Sequence, residues 1–148
     1  MSNTFEILAR GRCSFGGGKW YEGDVRHHHN GTVTIRPKAS TDGLGYYVEP
    51  STVTAYVQRT DKNGKHVFDG DICRDFELEP DGELWEDCFY VGFDPKDCAF
   101  CVDGRHGEQL PDPETFNHEI EVIGNKFDNP EMFAVLYARA HGKGVQDD

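Results

Sequence analysis

Thr60-Asp61-Lys62-Asn63-Gly64-Lys65-His66-Val67-Phe68-Asp69-Gly70-Asp71-Ile72 is the stretch on which the reading of this chain turns. Asn63-Gly64 is a hairpin signal, because both central positions of a tight hairpin turn need positive φ and these two residues tolerate it. Val67-Phe68 resumes an extended run. Asp69-Gly70-Asp71 is a second turn, and Ile72-Cys73 opens another strand. Two turns inside thirteen residues leave room for strands and none for a helix. Tyr21-Glu22-Gly23-Asp24-Val25 has the same order of aromatic, acid, glycine, Asp and β-branched residue, 47 positions earlier. That recurrence points to two similar small β-units.

Outward from this centre the pattern stays β. Residues 5–12 read as a short strand, ended by Gly16-Gly17-Gly18. Residues 19–25 read as a strand with a turn or bulge at Gly23. Asn30-Gly31 turns the chain back into residues 32–35. Residues 46–48 and 52–57 follow, the second rich in β-branched residues. Residues 88–93 and 98–102 form a hairpin across Asp94-Pro95-Lys96-Asp97. Residues 103–114 carry two Gly and two Pro and read as loop. Residues 119–125 alternate acid with apolar, as a half-buried strand does. Asn129-Pro130-Glu131 is a helix start, with Met132, Phe133, Val135, Leu136 and Tyr137 expected on the buried side. Gly142 ends that helix, and residues 142–148 read as a disordered tail. The expected fold is mainly β: eight to ten short strands in small barrel-like antiparallel sheets, with one C-terminal helix. Subdomains are expected over 1–57 and 58–128, and the helix over 129–141.

Composition limits the function. The chain has 148 residues, 36% of them hydrophobic, enough for one compact domain or two small ones. Its net charge is −12, which disfavours general DNA binding, since phosphate contact relies on Lys and Arg. The charge is uneven. Residues 1–74 carry 10 basic and 8 acidic side chains, and residues 75–148 carry 5 and 19. The densest run is Asp75, Glu77, Glu79, Asp81, Glu83, Glu86 and Asp87, with no Lys or Arg among them. No apolar run approaches the length of a membrane span. The N-terminus does not read as a signal peptide. Five cysteines at irregular spacing then read as free thiols, and the expected location is a reducing cytoplasm.

Two segments carry a family resemblance. Residues 60–72 resemble the central T-x-x-D-K-N-G-K-x-I-[FY]-E-G-D-I signature of the YopX family. Ile120-Glu121-Val122-Ile123-Gly124-Asn125-Lys126-Phe127-Asp128-Asn129-Pro130-Glu131 is similar to that family's closing I-E-V-I-G-N-I-[YF]-x-N-P-E-L. The hairpin between them also resembles the family's middle, and the region before Val57 matches more loosely. The resemblance implies a phage or prophage gene and a shared fold, and it brings no catalytic residues. The acidic run and the cysteines depart from the pattern. An insertion on a shared scaffold is where partner specificity can lie.

Motifs for chemistry are few. Cys98-Ala99-Phe100-Cys101 is a single C-x-x-C, short of the paired arrangement that marks zinc. Cys88, Cys98, Cys101 and His106 are the outside candidates for a metal, with Cys73 as a further partner. In a strand, Cys98 and Cys101 would face opposite ways. His27-His28-His29 beside a turn reads as exposed loop. The pairs Glu22/Asp24 and Asp69/Asp71 could share a face, as a metal-dependent nuclease requires, but acid-Gly-acid fits turn chemistry better. Gly16-Gly17-Gly18-Lys19 lacks the spacing of a phosphate loop. Arg10, Arg12, Lys19 and Arg26 lie near Trp20 and Tyr21, a patch that could bind nucleic acid but reads better as solvated surface.

The expected function is binding without catalysis. The partner is a host or phage protein, contacted through the acidic run, with inhibition of a host defence nuclease as one outcome. No cofactor, membrane or direct nucleic-acid contact is expected. The alternatives are a metal-dependent enzyme acting on nucleic acid or nucleotide, and a structural homo-oligomer.

Overall fold

The computed structural model describes residues 8–15, 18–38, 45–75 and 87–146, with side chains described as far as 142. The chain divides into unit 1, residues 1–56, and unit 2, residues 57–148. The described residues form ten strands, two α-helices and one 3-10 turn, and the fold is mainly β.

Unit 1 is a coiled antiparallel sheet. Its strands are β1 (Ala9–Arg12), β2 (Trp20–His27), β3 (Val33–Arg36), β4 (Tyr46–Val48) and the start of β5 (Thr54–Thr60), in the order β4-β3-β2-β1-β5. A 3-10 turn, Pro50–Thr52, precedes β5 and delays it past the expected start at residue 52. β2 changes partner midway. Residues 20–23 pair with β1 and residues 24–27 with β3, without a register shift. The expected turn or bulge at Gly23 is therefore absent. Gly23 is required for another reason: a Cβ there would lie 2.1 Å from the Arg36 carbonyl oxygen. The sheet curls until Cys13, just past β1, bridges Val48 on β4, but no closed barrel forms. Ala9, Val33, Ile35 and Val48 make the core, with Tyr21 and Val25 against it. All of these side chains lie on one face, as the period-two alternation of strands dictates.

Unit 2 is built on the order β10-β7-β8-β9, from β7 (Asp71–Asp75), β8 (Cys88–Asp94), β9 (Ala99–Val102) and β10 (Ile120–Asn125). β6 (His66–Phe68) precedes β7. Both faces of this sheet are covered. Cys73, Phe89, Val91, Ile120 and Val122 pack with Phe116 of α1 (Pro113–Glu119) on one side. Ile72, Cys88 and Tyr90 pack with Leu136 of α2 (Pro130–Gln146) on the other. Double coverage explains why residues 88–92 of β8 are buried without interruption rather than in alternate positions. Phe116 and Leu136 are fully buried, each stabilising the fold by about 1.5–3 kcal/mol.

Helix α1 takes the last two residues of the expected loop 103–114 and runs on to Glu119. Asp112 caps it, accepting the Thr115 N–H at 2.8 Å, and Pro113 and Glu114 open its first turn. Gly142 breaks the regularity of α2 with φ 27 and ψ −129, and the helix resumes to Gln146. Of the expected tail, residues 147 and 148 lie outside the described residues.

Candidate functional site

The two family segments meet in unit 2. Buried Asp61 accepts the Asn63 and Lys65 N–H groups on Oδ1, both at 2.9 Å, and the Val122 N–H on Oδ2 at 2.9 Å. The turn Lys62-Asn63-Gly64 is thereby tied to β10. Gly64 has φ 82, the conformation that the Asn-Gly pair signals. Asp71, also fully buried, accepts the Phe68 N–H at 2.8 Å. Gly70 (φ 91) donates its N–H to the Val91 carbonyl and accepts from the Lys126 N–H. Asp71 and Asp61 thus bond to the backbone, as the turn reading expects. β7 and β10 pair antiparallel, with a register shift between Val122 and Gly124.

Among the described residues of unit 2 five carboxylates are buried: Asp61, Asp71, Asp87, Asp94 and Asp103. Asp103 accepts the Tyr90 N–H at 3.0 Å, and burial pushes its carboxyl above the usual range. Asp94 accepts from Lys96 N–H at 3.0 Å, and its Oδ2 lies 2.6 Å from His106 Nδ1. The His106 bond holds the Asp94 carboxyl below its ordinary value.

Of the acidic run, Asp75 and Asp87 are described. Glu77, Glu79, Asp81, Glu83 and Glu86 lie outside the described residues. Asp75 is half-buried, and its N–H donates to the Asp87 carbonyl at 3.0 Å. Asp87 is 6% exposed and pairs with Arg74 Nε at 2.8 Å. The ends of the run are thus pinned together beside β7 and β8, and the Asp87 carboxylate serves the fold.

The cysteines do not converge. Cys98 is exposed with φ 53, just before β9, while Cys101 is buried on β9 and Cys88 is buried on β8. Burial raises the thiol pKa of Cys73, Cys88 and Cys101, with nearby carboxylates adding to it. Such thiols stay protonated and are poor nucleophiles. Among the described residues one group has metal-ligand spacing, and it contains no cysteine: Asp94, Asp97 and His106. His106 was legible as a ligand type. Its partners were not, because the β8–β9 turn brings them to it. Asp97 and His106 are both more than half exposed, and the His106–Asp94 bond spans the hairpin to the following loop.

Other carboxylates of unit 2 lie on its surface. Unit 2 carries 22 acidic side chains against 9 basic ones, and unit 1 carries 5 against 6. Asp97, Glu108, Asp112, Glu114, Asp128 and Glu131 are exposed. A surface of one sign focuses potential and attracts a partner of the other. Among the described residues no helix is long and apolar enough to cross a membrane.

No curated protein matches this chain. The family model described as YopX protein matches residues 35–134, which include both quoted segments and the sheet they build. The chain belongs to the YopX family.

Proposed function

We propose that this YopX-family chain is a phage-encoded accessory protein that acts by binding, without catalysis, a basic host or phage protein through the acidic surface of unit 2. The observation that carries the reading is the uneven charge: unit 2 holds 22 of the 27 acidic side chains and 9 of the 15 basic ones. Electrostatic complementarity of this kind gives fast association, rejects like-charged competitors and weakens with salt. A host protein with a nucleic-acid groove offers the matching basic surface. An acidic protein seated in such a groove would inhibit a defence nuclease by occupying the phosphate sites.

The test compares the native chain with a variant in which Glu77, Glu79, Glu83 and Glu86 are all Gln. Each is used to capture partners from host lysate, identified by mass spectrometry. The reading expects a stoichiometric basic partner on the native chain and a loss of at least tenfold on the variant. Equal capture by both, or a partner that is itself acidic, overturns it.

A further inference from the structure

Unit 1 has a surface of the opposite character, on the sheet face away from its core. Cross-strand register sets Arg26 of β2 opposite Thr34 of β3, and Thr34 opposite Tyr47 of β4, a row across three strands. The next row sets Asp24 opposite Arg36. These residues and His28 line a groove of about 470 Å³. Gly45 also lines it, and a Cβ there would lie 3.1 Å from Thr34 Cβ. Arg26 is exposed and has no ion pair among the described residues. Arg36 faces Asp24 at 3.6 Å, and the side chains of this pair are 54% and 58% exposed, so solvent screens the attraction. His28 Nε2 lies 3.0 Å from Thr34 Oγ1, and its ring is tilted 6.4 Å from the Tyr47 ring.

Tyr47 is shared with a second, apolar pocket of about 370 Å³, which Phe15, Thr32, Val48 and Pro50 also line. Tyr47 is 51% exposed and Phe15 is 70% exposed. One aromatic wall, Tyr47, therefore separates a groove lined by Arg26, Arg36 and Asp24 from an apolar pocket with a further open ring. Along the same face Arg10 and Arg12 lie over Trp20, at 4.7 and 5.8 Å from the ring centroid.

We infer that this face of unit 1 binds single-stranded nucleic acid, with phosphates in the Arg26/Arg36 groove and a base stacked on Tyr47 over the apolar pocket. Two requirements of a single strand meet here: cations that follow a backbone and a ring on which a base can stack. A duplex buries its base faces and cannot use the ring. An acidic peptide would use the arginines and leave the apolar pocket empty. Stacking and guanidinium contacts do not distinguish ribose from deoxyribose, so both sugars should bind. The net charge of −12 does not oppose this locally, because the acidic excess belongs to unit 2. The inference concerns another unit than the proposed protein-binding surface and stands independently of it.

Fluorescence anisotropy with labelled oligo-dT and oligo-rU tests it on the full chain at low salt. Both are expected to bind, and more tightly than a duplex of the same length. Tyr47→Ala should weaken binding roughly tenfold. Arg26→Ala with Arg36→Ala should lower the slope of log Kd against log salt by about 1.4, two phosphates' worth. Thermal melting of each variant must match the native chain, and Arg26→Lys should keep the slope that Arg26→Ala loses. Absence of binding to both oligonucleotides, equal or tighter binding of duplex, or variants that bind like the native chain would each overturn the inference.

Discussion

Asp61 shows how one side chain sets local structure. Its two oxygens satisfy three backbone N–H groups from two separated parts of the chain, in a site that is 1% exposed. Asp61→Ala leaves those donors without an acceptor, and each buried donor so stranded costs about 1–3 kcal/mol. The variant should lose about 3–5 kcal/mol in urea unfolding or fail to fold. A loss below about 1 kcal/mol would show that the bonds are replaced by water. Asp103 is the opposite case. Burial raises its carboxyl pKa in the fold. Its contribution is therefore fully present below the unfolded value of about 4 and lost as pH rises through the raised value. Asp103→Asn keeps an oxygen for the Tyr90 N–H, removes the charge, and suits the φ of 60 at this position. At pH 8 the variant should be more stable than the native chain by about 1 kcal/mol or less, with a flatter curve of stability against pH above 4. Cysteine chemistry follows burial. A thiol reagent should modify exposed Cys98 first and half-buried Cys13 next, reaching Cys73, Cys88 and Cys101 only on unfolding. Peptide mapping of the labelled protein reads the order, and early labelling of Cys101 would contradict it.

Elements were legible where turn chemistry is local. The turns at Asn63-Gly64 and Asn30-Gly31 and the hairpin across Asp94 to Asp97 read correctly, though in the first two only Gly64 and Gly31 take the positive φ, not the Asn before them, and beside the third the left-handed residue is Cys98. Helix α1 did not. Its start signal, Asp112-Pro113-Glu114, was present, but the Gly and Pro of the preceding segment outweighed it, and only Phe116 is buried. A seven-residue helix with one anchored side chain has almost no periodicity to detect. Gly23 looked like a break because glycine often marks a bulge, whereas here the need is close approach to the Arg36 carbonyl. Helix α2 is held to β8 by Leu136, by Tyr90 packed on Phe133, and by His141 Nε2 at 2.8 Å from the Tyr90 hydroxyl. Leu136→Ala should cost about 2–5 kcal/mol, measured by denaturant unfolding. A smaller cost would mean that the helix collapses onto the vacated space.

At the scale of the whole molecule the sequence disclosed charge before structure. The acidic excess was visible in the residue order alone, and the division into units assigns it to unit 2. What could not be read was which carboxylates remain available. Asp87, Asp94 and Asp103 look like surface charges in sequence and are buried in the fold. The reverse holds on unit 1, where Arg26, Thr34 and Tyr47 lie far apart in sequence and align only through strand register. The central claim is that unit 2 binds a basic protein through exposed negative charge. Its most direct test is the Kd of the complex with the partner captured from host lysate, measured across a salt series from low to high. The account predicts a steep, monotonic loss of affinity with salt, carried mainly by slower association. An affinity independent of salt would contradict it.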